Sequence, residues 1–274
     1  MSDGNLAVEV RPLPLSERIW GVPALRRALL LLVLVVVWQA YAMYADNPLM
    51  LPSFTDTLTA FGTDVASGEL LQRTAVSVQV LLIGYATGIA VAAVLAGIAV
   101  STRTGDDLLA TLTAMFNPLP AIALLPLALL WFGLGTPSIV FVTVHSVLWP
   151  LALNARAGFA TVSDTLRMTG RNAGLNRLRF VVLILIPAAF PAILAGLKMG
   201  WAFAWRTLIA AELVFGVSSG GGGLGWYIFE HKNNLETPNV FAGLLTVVLI
   251  GLTVEVLIFR TIEIHTVRRW GMQR

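Results

Sequence analysis

An all-α, polytopic membrane protein with about six transmembrane helices is the fold class that three features of this 274-residue sequence predict. Hydrophobic residues make up 57% of it and charged residues only 12%, against about a quarter charged in an ordinary soluble domain. Apolar runs of about twenty residues, the length that crosses a bilayer, recur along the chain. The basic residues fall in alternate connecting segments, as they do in chains threaded through a membrane.

Residues 1–23 are polar and of mixed charge and read as a cytoplasmic tail. The first span is expected at Ala24–Tyr44. Arg26-Arg27, the apolar run and Ala40-Tyr41-Ala42 imitate a cleavable leader, but the long polar start and the unbroken run to Tyr44 favour a retained span. Phe54, Leu58, Phe61 and Val65 then share one face of a short helix, with Ser53 as its N-cap and Gly68 as its stop. That helix is too short to cross and is expected at the interface. Further spans are expected at Thr74–Val100, Leu108–Phe132, Ser138–Asn154, Pro187–Val214 and Val240–Phe259. A glycine-rich loop is expected over Gly216–Asn239 and a basic tail over residues 260–274. The transmembrane domain is thus residues 24–259, interrupted by a polar loop at 156–179.

Fourteen of the eighteen Lys and Arg residues lie in the N-terminal tail, at Arg103, in the 156–179 loop and in the C-terminal tail. Both termini are therefore expected in the cytoplasm, and six spans satisfy that parity. The basic pI of about 9.7 reflects this sidedness and not nucleic-acid binding. The sequence has no cysteine, which removes disulfide and thiolate chemistry.

The stretch Asp164–Gly200 carries the most information. Thr165–Ala173 can form a short helix, Gly174 suits the left-handed residue that ends it, and Asn176 can cap the next one. A helix–glycine–helix elbow at the membrane surface is a shape for docking a partner, and it is also what an ordinary basic loop can look like. Gly174 is followed thirteen positions later by Pro187, then by Pro191, Ile193 and Gly196. This pattern resembles the signature loop of bacterial ABC importer permeases. There a short Glu-Ala-Ala helix precedes a glycine and, about a dozen residues on, Leu-Pro and a second proline. Met168-Thr169-Gly170 stands here at the Glu-Ala-Ala positions, so the acid is absent. Leu51-Pro52-Ser53, Ser67-Gly68-Glu69-Leu70, Leu119-Pro120 through Trp131-Phe132-Gly133-Leu134-Gly135, Ala204-Trp205-Arg206 through Ala210-Ala211-Glu212, and Gly223-Leu224-Gly225-Trp226 are similar to the nitrate, sulfonate and taurine group of these permeases.

The resemblance implies a coupling helix between spans four and five that enters a groove of a cytoplasmic ATP-binding subunit. Thr165, Leu166, Arg167, Met168, Thr169, Gly170, Arg171, Ala173 and Gly174 would form it. Leu166 and Met168 would offer apolar contact, and Arg167 and Arg171 charge, to that partner. The other implied partners are a second copy of the permease, an extracytoplasmic solute-binding protein and the lipid of the inner membrane. The chain would bind no cofactor or metal itself, ATP and magnesium residing on the partner. It has no Walker Lys-Ser or Lys-Thr, and Gly220–Gly225 matches G-x-G-x-x-G only formally, without the βαβ setting that such a fingerprint needs. The cargo would be a small solute moved inward, an anion such as nitrate, a sulfonate, taurine or an aromatic acid.

Prolines inside spans can kink helices that line a cavity, and ionisable groups inside spans are functional candidates by default. Ordinary kinks in packed helices are the alternative for the prolines, and with the resemblance Pro118, Pro120, Pro126, Trp205, Arg206 and Glu212 become the pathway candidates. Lys198 can snorkel towards the cytoplasm, whereas Glu212 and Glu255 are expected to find partners on neighbouring helices. Gly84-x-x-x-Gly88 and Gly196-x-x-x-Gly200 permit close helix contact, either within the chain or across a dimer. His145, His231 and His265 show no metal-ligand spacing, with His231 and Lys232 expected in an exposed loop. A self-sufficient secondary transporter or channel is the alternative. It calls for inverted repeats and paired midplane acids, and none stands out. A membrane-embedded enzyme would need converging catalytic groups.

Overall fold

The computed structural model describes residues 22–215 and 222–269, and every regular element within them is helical. Helix α1 (Pro23–Ala45) opens on a proline at its first turn, where the missing N–H costs nothing. Its leucines and valines from Leu29 to Val37 are largely exposed to what would be lipid. It meets the rest of the bundle through Trp38, whose Nε1 donates to Pro52 O at 3.0 Å and whose ring contacts Phe54 and Phe241.

Helix α2 (Phe54–Ser67) begins at the expected cap. Ser53 Oγ accepts from the Asp56 N–H at 3.1 Å, and Gly68 ends the helix at φ +83°. Helix α3 (Glu69–Ser101) follows at once. Its 33 residues span about 50 Å, well past a hydrocarbon core of about 30 Å, so its polar first turn stands outside the membrane.

The third expected span is broken. Helix α4 (Arg103–Phe116) and the segment from Ala121 to Phe132, which contains a 3₁₀ turn and α5 (Leu125–Phe132), meet at 88°. The physical reason lies in the prolines. Pro118 and Pro120 cannot donate the backbone hydrogen bonds that would carry α4 onward, and Pro126 sits in the first turn of α5. Among the described residues, five helices are long and apolar enough to cross a bilayer, six if this bent pair is one span.

Helix α6 (Thr136–Ala160) is the most enclosed of the spans. The four glycines of the two small-residue pairs all press on it. A Cβ at Gly84 would stand 2.6 Å from Thr143 Cγ2, at Gly88 2.7 Å from Val147 Cβ, at Gly196 2.9 Å from Asn154 Cβ and at Gly200 3.3 Å from Val147 Cγ1. Both pairs therefore serve packing inside the chain.

Helix α7 (Asp164–Asn172) is short and amphipathic. Helix α8 (Arg177–Phe180) passes through a π-helical turn (Val181–Leu185) into α9 (Ile186–Phe215), which packs along α6. The expected loop over Gly216–Asn239 holds a helix, α10 (Leu224–Asn233), with Leu224, Gly225, Tyr227 and Ile228 buried. Its residues 216–221, including the start of the glycine motif, lie outside the described residues. Helix α11 (Thr237–Thr253) continues through π-helical and α-helical turns to Arg268, so the expected C-terminal tail is helical through that residue. Residues 1–21 and 270–274 also lie outside the described set.

Candidate functional site

Two places in the bundle bring together residues singled out from the sequence. The first is a cavity of about 300 Å³, the size of a small-molecule site. One wall is the broken backbone of Asn117–Ile122. Helix α6 supplies His145, Ser146, Trp149 and Pro150, and α9 supplies Phe203, Arg206 and Thr207. Phe116 stacks on Trp149 with ring centroids 5.2 Å apart, and Ser146 Oγ lies 2.9 Å from Thr207 Oγ1, bonding α6 to α9. Pro118, Pro120 and Arg206 thus meet at one site. Arg206 is exposed and is given no hydrogen bond or ion pair among the described residues, although an arginine always carries its charge.

The other three pathway candidates do not line this cavity. Pro126 belongs to α5. Trp205 is buried and donates from Nε1 to Val247 O on α11 at 3.2 Å. Glu212 is 3% exposed and sits at the end of the bundle that carries α2 and α10. Its Oε2 accepts from the Gly225 N–H at 2.8 Å and from Ser77 Oγ at 2.7 Å, and Ser77 Oγ accepts in turn from the Leu224 N–H at 2.7 Å. The first N–H groups of a helix have no internal partner and favour negative charge. Glu212 and Ser77, from two other helices, therefore cap α10. Gly223 leaves them room, since a Cβ there would collide with both side chains.

More polar contacts fasten the same end. Tyr227 donates to Asp64, which also accepts from Asn239 Nδ2 at 2.9 Å. Burial and the neighbouring Asp64 push the Tyr227 phenol well above its usual range, so it stays a donor. Arg73 pairs with Glu230 at 3.0 Å. His231 lies on α10 and meets Glu236, contrary to the expected exposed loop. Lys198 pairs with Glu263 at 2.7 Å and Glu255 at 3.8 Å, so Glu255 finds its expected partner on another helix.

The second place is the elbow at the opposite end. Gly174 adopts φ +67°, the left-handed conformation its position called for, and Asn176 Oδ1 accepts from the Arg179 N–H at 2.9 Å as the cap of α8. Leu166 and Met168 are exposed. Gly170 is buried against the Phe180 ring. Arg167, expected to offer its charge outward, turns inward instead. Its Nη2 donates to Phe159 O at 2.6 Å and its Nε to Val162 O at 3.2 Å, where carbonyls at the end of α6 attract a cation. The Arg171 side chain lies outside the described residues.

Residues 84–265 match the family described as binding-protein-dependent transport system inner membrane component. The chain belongs to that family. An Escherichia coli K12 protein named for aliphatic sulfonates transport, the permease SsuC, is 31% identical over 81% of this chain and 84% of its own length. The taurine transport system permease TauC of the same organism is 29% identical over 86% and 88%. The nitrate import permease NrtB of Synechocystis is 29% identical over 88% and 89%. This permease is accordingly an all-helical, multi-pass inner membrane component of an ABC importer.

Sequence reasoning missed His145, Trp149, Phe203 and Asn117. His145 and Trp149 are four apart, on one helical face beside an in-span proline, and that combination was the available signal.

Proposed function

We propose that this permease carries a small anion inward by alternating access, driven by an ATP-binding subunit docked on α7. The observation that supports it most is the cavity bounded by broken backbone and lined by Arg206, which has no partner among the described residues. The three relatives are named for nitrate, taurine and sulfonates, solutes that each bear a nitrate or sulfonate group, and such groups match a guanidinium. Arg206 would provide a transient attraction, strong enough to admit the anion and weak enough to release it. A solute-binding protein would deliver cargo at the α2/α10 end, and a second copy would complete the pathway. The basic loops support a reading in which α7 and both termini face the cytoplasm. The sequence carries no Walker Lys-Ser or Lys-Thr, which supports hydrolysis on the partner.

Reconstitution with the ATP-binding subunit and the solute-binding protein, scoring ATP-dependent uptake of nitrate, taurine and aliphatic sulfonates, tests this reading. Uptake that proceeds without the ATP-binding subunit would sink it. Cysteines placed at Ser2, Asn234 and Gln273 test the sidedness, with only Asn234→Cys expected to react with an external label.

A further inference from the structure

We propose that Arg167 is a positioning residue that rivets α7 to the end of α6, so that motion imposed on α7 reaches the cavity wall, and that it does not touch the docked partner. This rests on the reading of α7 as the docking helix.

Helix α7 has two kinds of surface. Leu166 and Met168, 42% and 62% exposed, are open on its two flanks. On the inner side Arg167 reaches back to hold one carbonyl in α6's last turn, Phe159 O, and one in the connection just beyond it, Val162 O. Those carbonyls are firmly seated, because Phe159 and Val162 are buried in a cluster with Ala155, Leu185 and Ala189. Gly170 rests on Phe180 and Ile184, which fixes α7 to the start of the next helix. The short helix is thus fastened through Arg167 to α6 and through Gly170 to the segment that becomes α9. These are the two helices whose Ser146 and Thr207 meet in the cavity wall. From Phe159 to Ser146 is about 20 Å of unbroken α6. A planar guanidinium can hold both carbonyls at once, whereas a lysine ammonium is a single point.

The experiment uses proteoliposomes holding the permease, its ATP-binding subunit and the solute-binding protein, with uptake and hydrolysis measured together. Arg167→Gln should retain the ATP-binding subunit and hydrolyse ATP, yet move about tenfold less solute per ATP; Arg167→Lys should fall in between. Spin labels at Ala160→Cys and Thr169→Cys, in a chain without native cysteine, should show a broadened distance distribution in Arg167→Gln. An unchanged solute-to-ATP ratio would overturn the proposal. Loss of the ATP-binding subunit from Arg167→Gln at normal permease abundance would also overturn it, by making Arg167 a partner contact. Should Arg167→Gln fail to accumulate, the ratio and the label distances measured on Arg167→Lys decide. The underlying docking reading fails separately, if the double variant Leu166→Asp, Met168→Asp keeps its partner.

Discussion

Two charged residues on α9, six positions apart, have opposite surroundings. Glu212 is sealed in the protein and accepts hydrogen bonds from a serine and a backbone N–H. Arg206 lines a cavity with no partner among the described residues. Composition treats them alike, as costly ions inside a span. The difference teaches that a buried acid tied to a serine and a backbone N–H holds a structure together, while an exposed guanidinium with no partner among the described residues can meet something that comes and goes. The same contrast separates the two ends of the bundle. Around α10 Glu212, Ser77, Tyr227, Asp64 and Asn239 are tied to one another or to the helix start, and around the cavity the wall is broken.

The comparison can be broken first at Glu212. Glu212→Ala strands the Gly225 N–H and the Ser77 hydroxyl, and should destabilise the permease by about 3 kcal/mol. Thermal unfolding in detergent reads this directly. Unchanged stability with lost uptake would make Glu212 a pathway group and erase the contrast. Gly223→Ala should cost about 2 kcal/mol by overpacking the same cap, seen as a lower melting temperature. Gly174→Val imposes a positive φ on a β-branched residue, at about 1–3 kcal/mol, and acts at the other end. The permease should still insert, and pull-down should show it without its ATP-binding subunit. The smallest effect on stability, within about 0.5 kcal/mol, belongs to Arg206→Gln, which should nevertheless lose uptake. A variant that melts early instead would show Arg206 to be structural.

Local chemistry was legible in the sequence and long-range chemistry was not. The Ser53 cap, the Gly68 stop, the positive φ of Gly174 and the Asn176 cap each follow from a few adjacent residues. The sequence also showed that Pro118 and Pro120 would disturb a span, though not that it would turn through nearly a right angle. Helix α10 was hidden because its glycine-rich surroundings imitate a loop. What holds it there comes from Ser77 and Asp64, far away along the chain, and from Glu212 on the preceding helix. Arg167 was misread for a similar reason. A basic residue beside a docking surface suggests an outward charge, and the carbonyls it satisfies come into reach only once α6 has ended and α7 has folded back. Of the site, the prolines and Arg206 were found by residue type. His145 and Trp149 needed the third dimension to join them.

The four glycines that press against α6 have a mechanical consequence. With α3 and α9 brought close against it, this helix is largely screened from acyl chains. Helix α1, by contrast, is almost wholly exposed. A thicker or thinner bilayer changes how exposed spans tilt, and α1 can absorb that change while α6 stays where its neighbours hold it. The part of the cavity built on α6 is therefore insulated from membrane thickness, and transport by this permease should depend only weakly on lipid chain length.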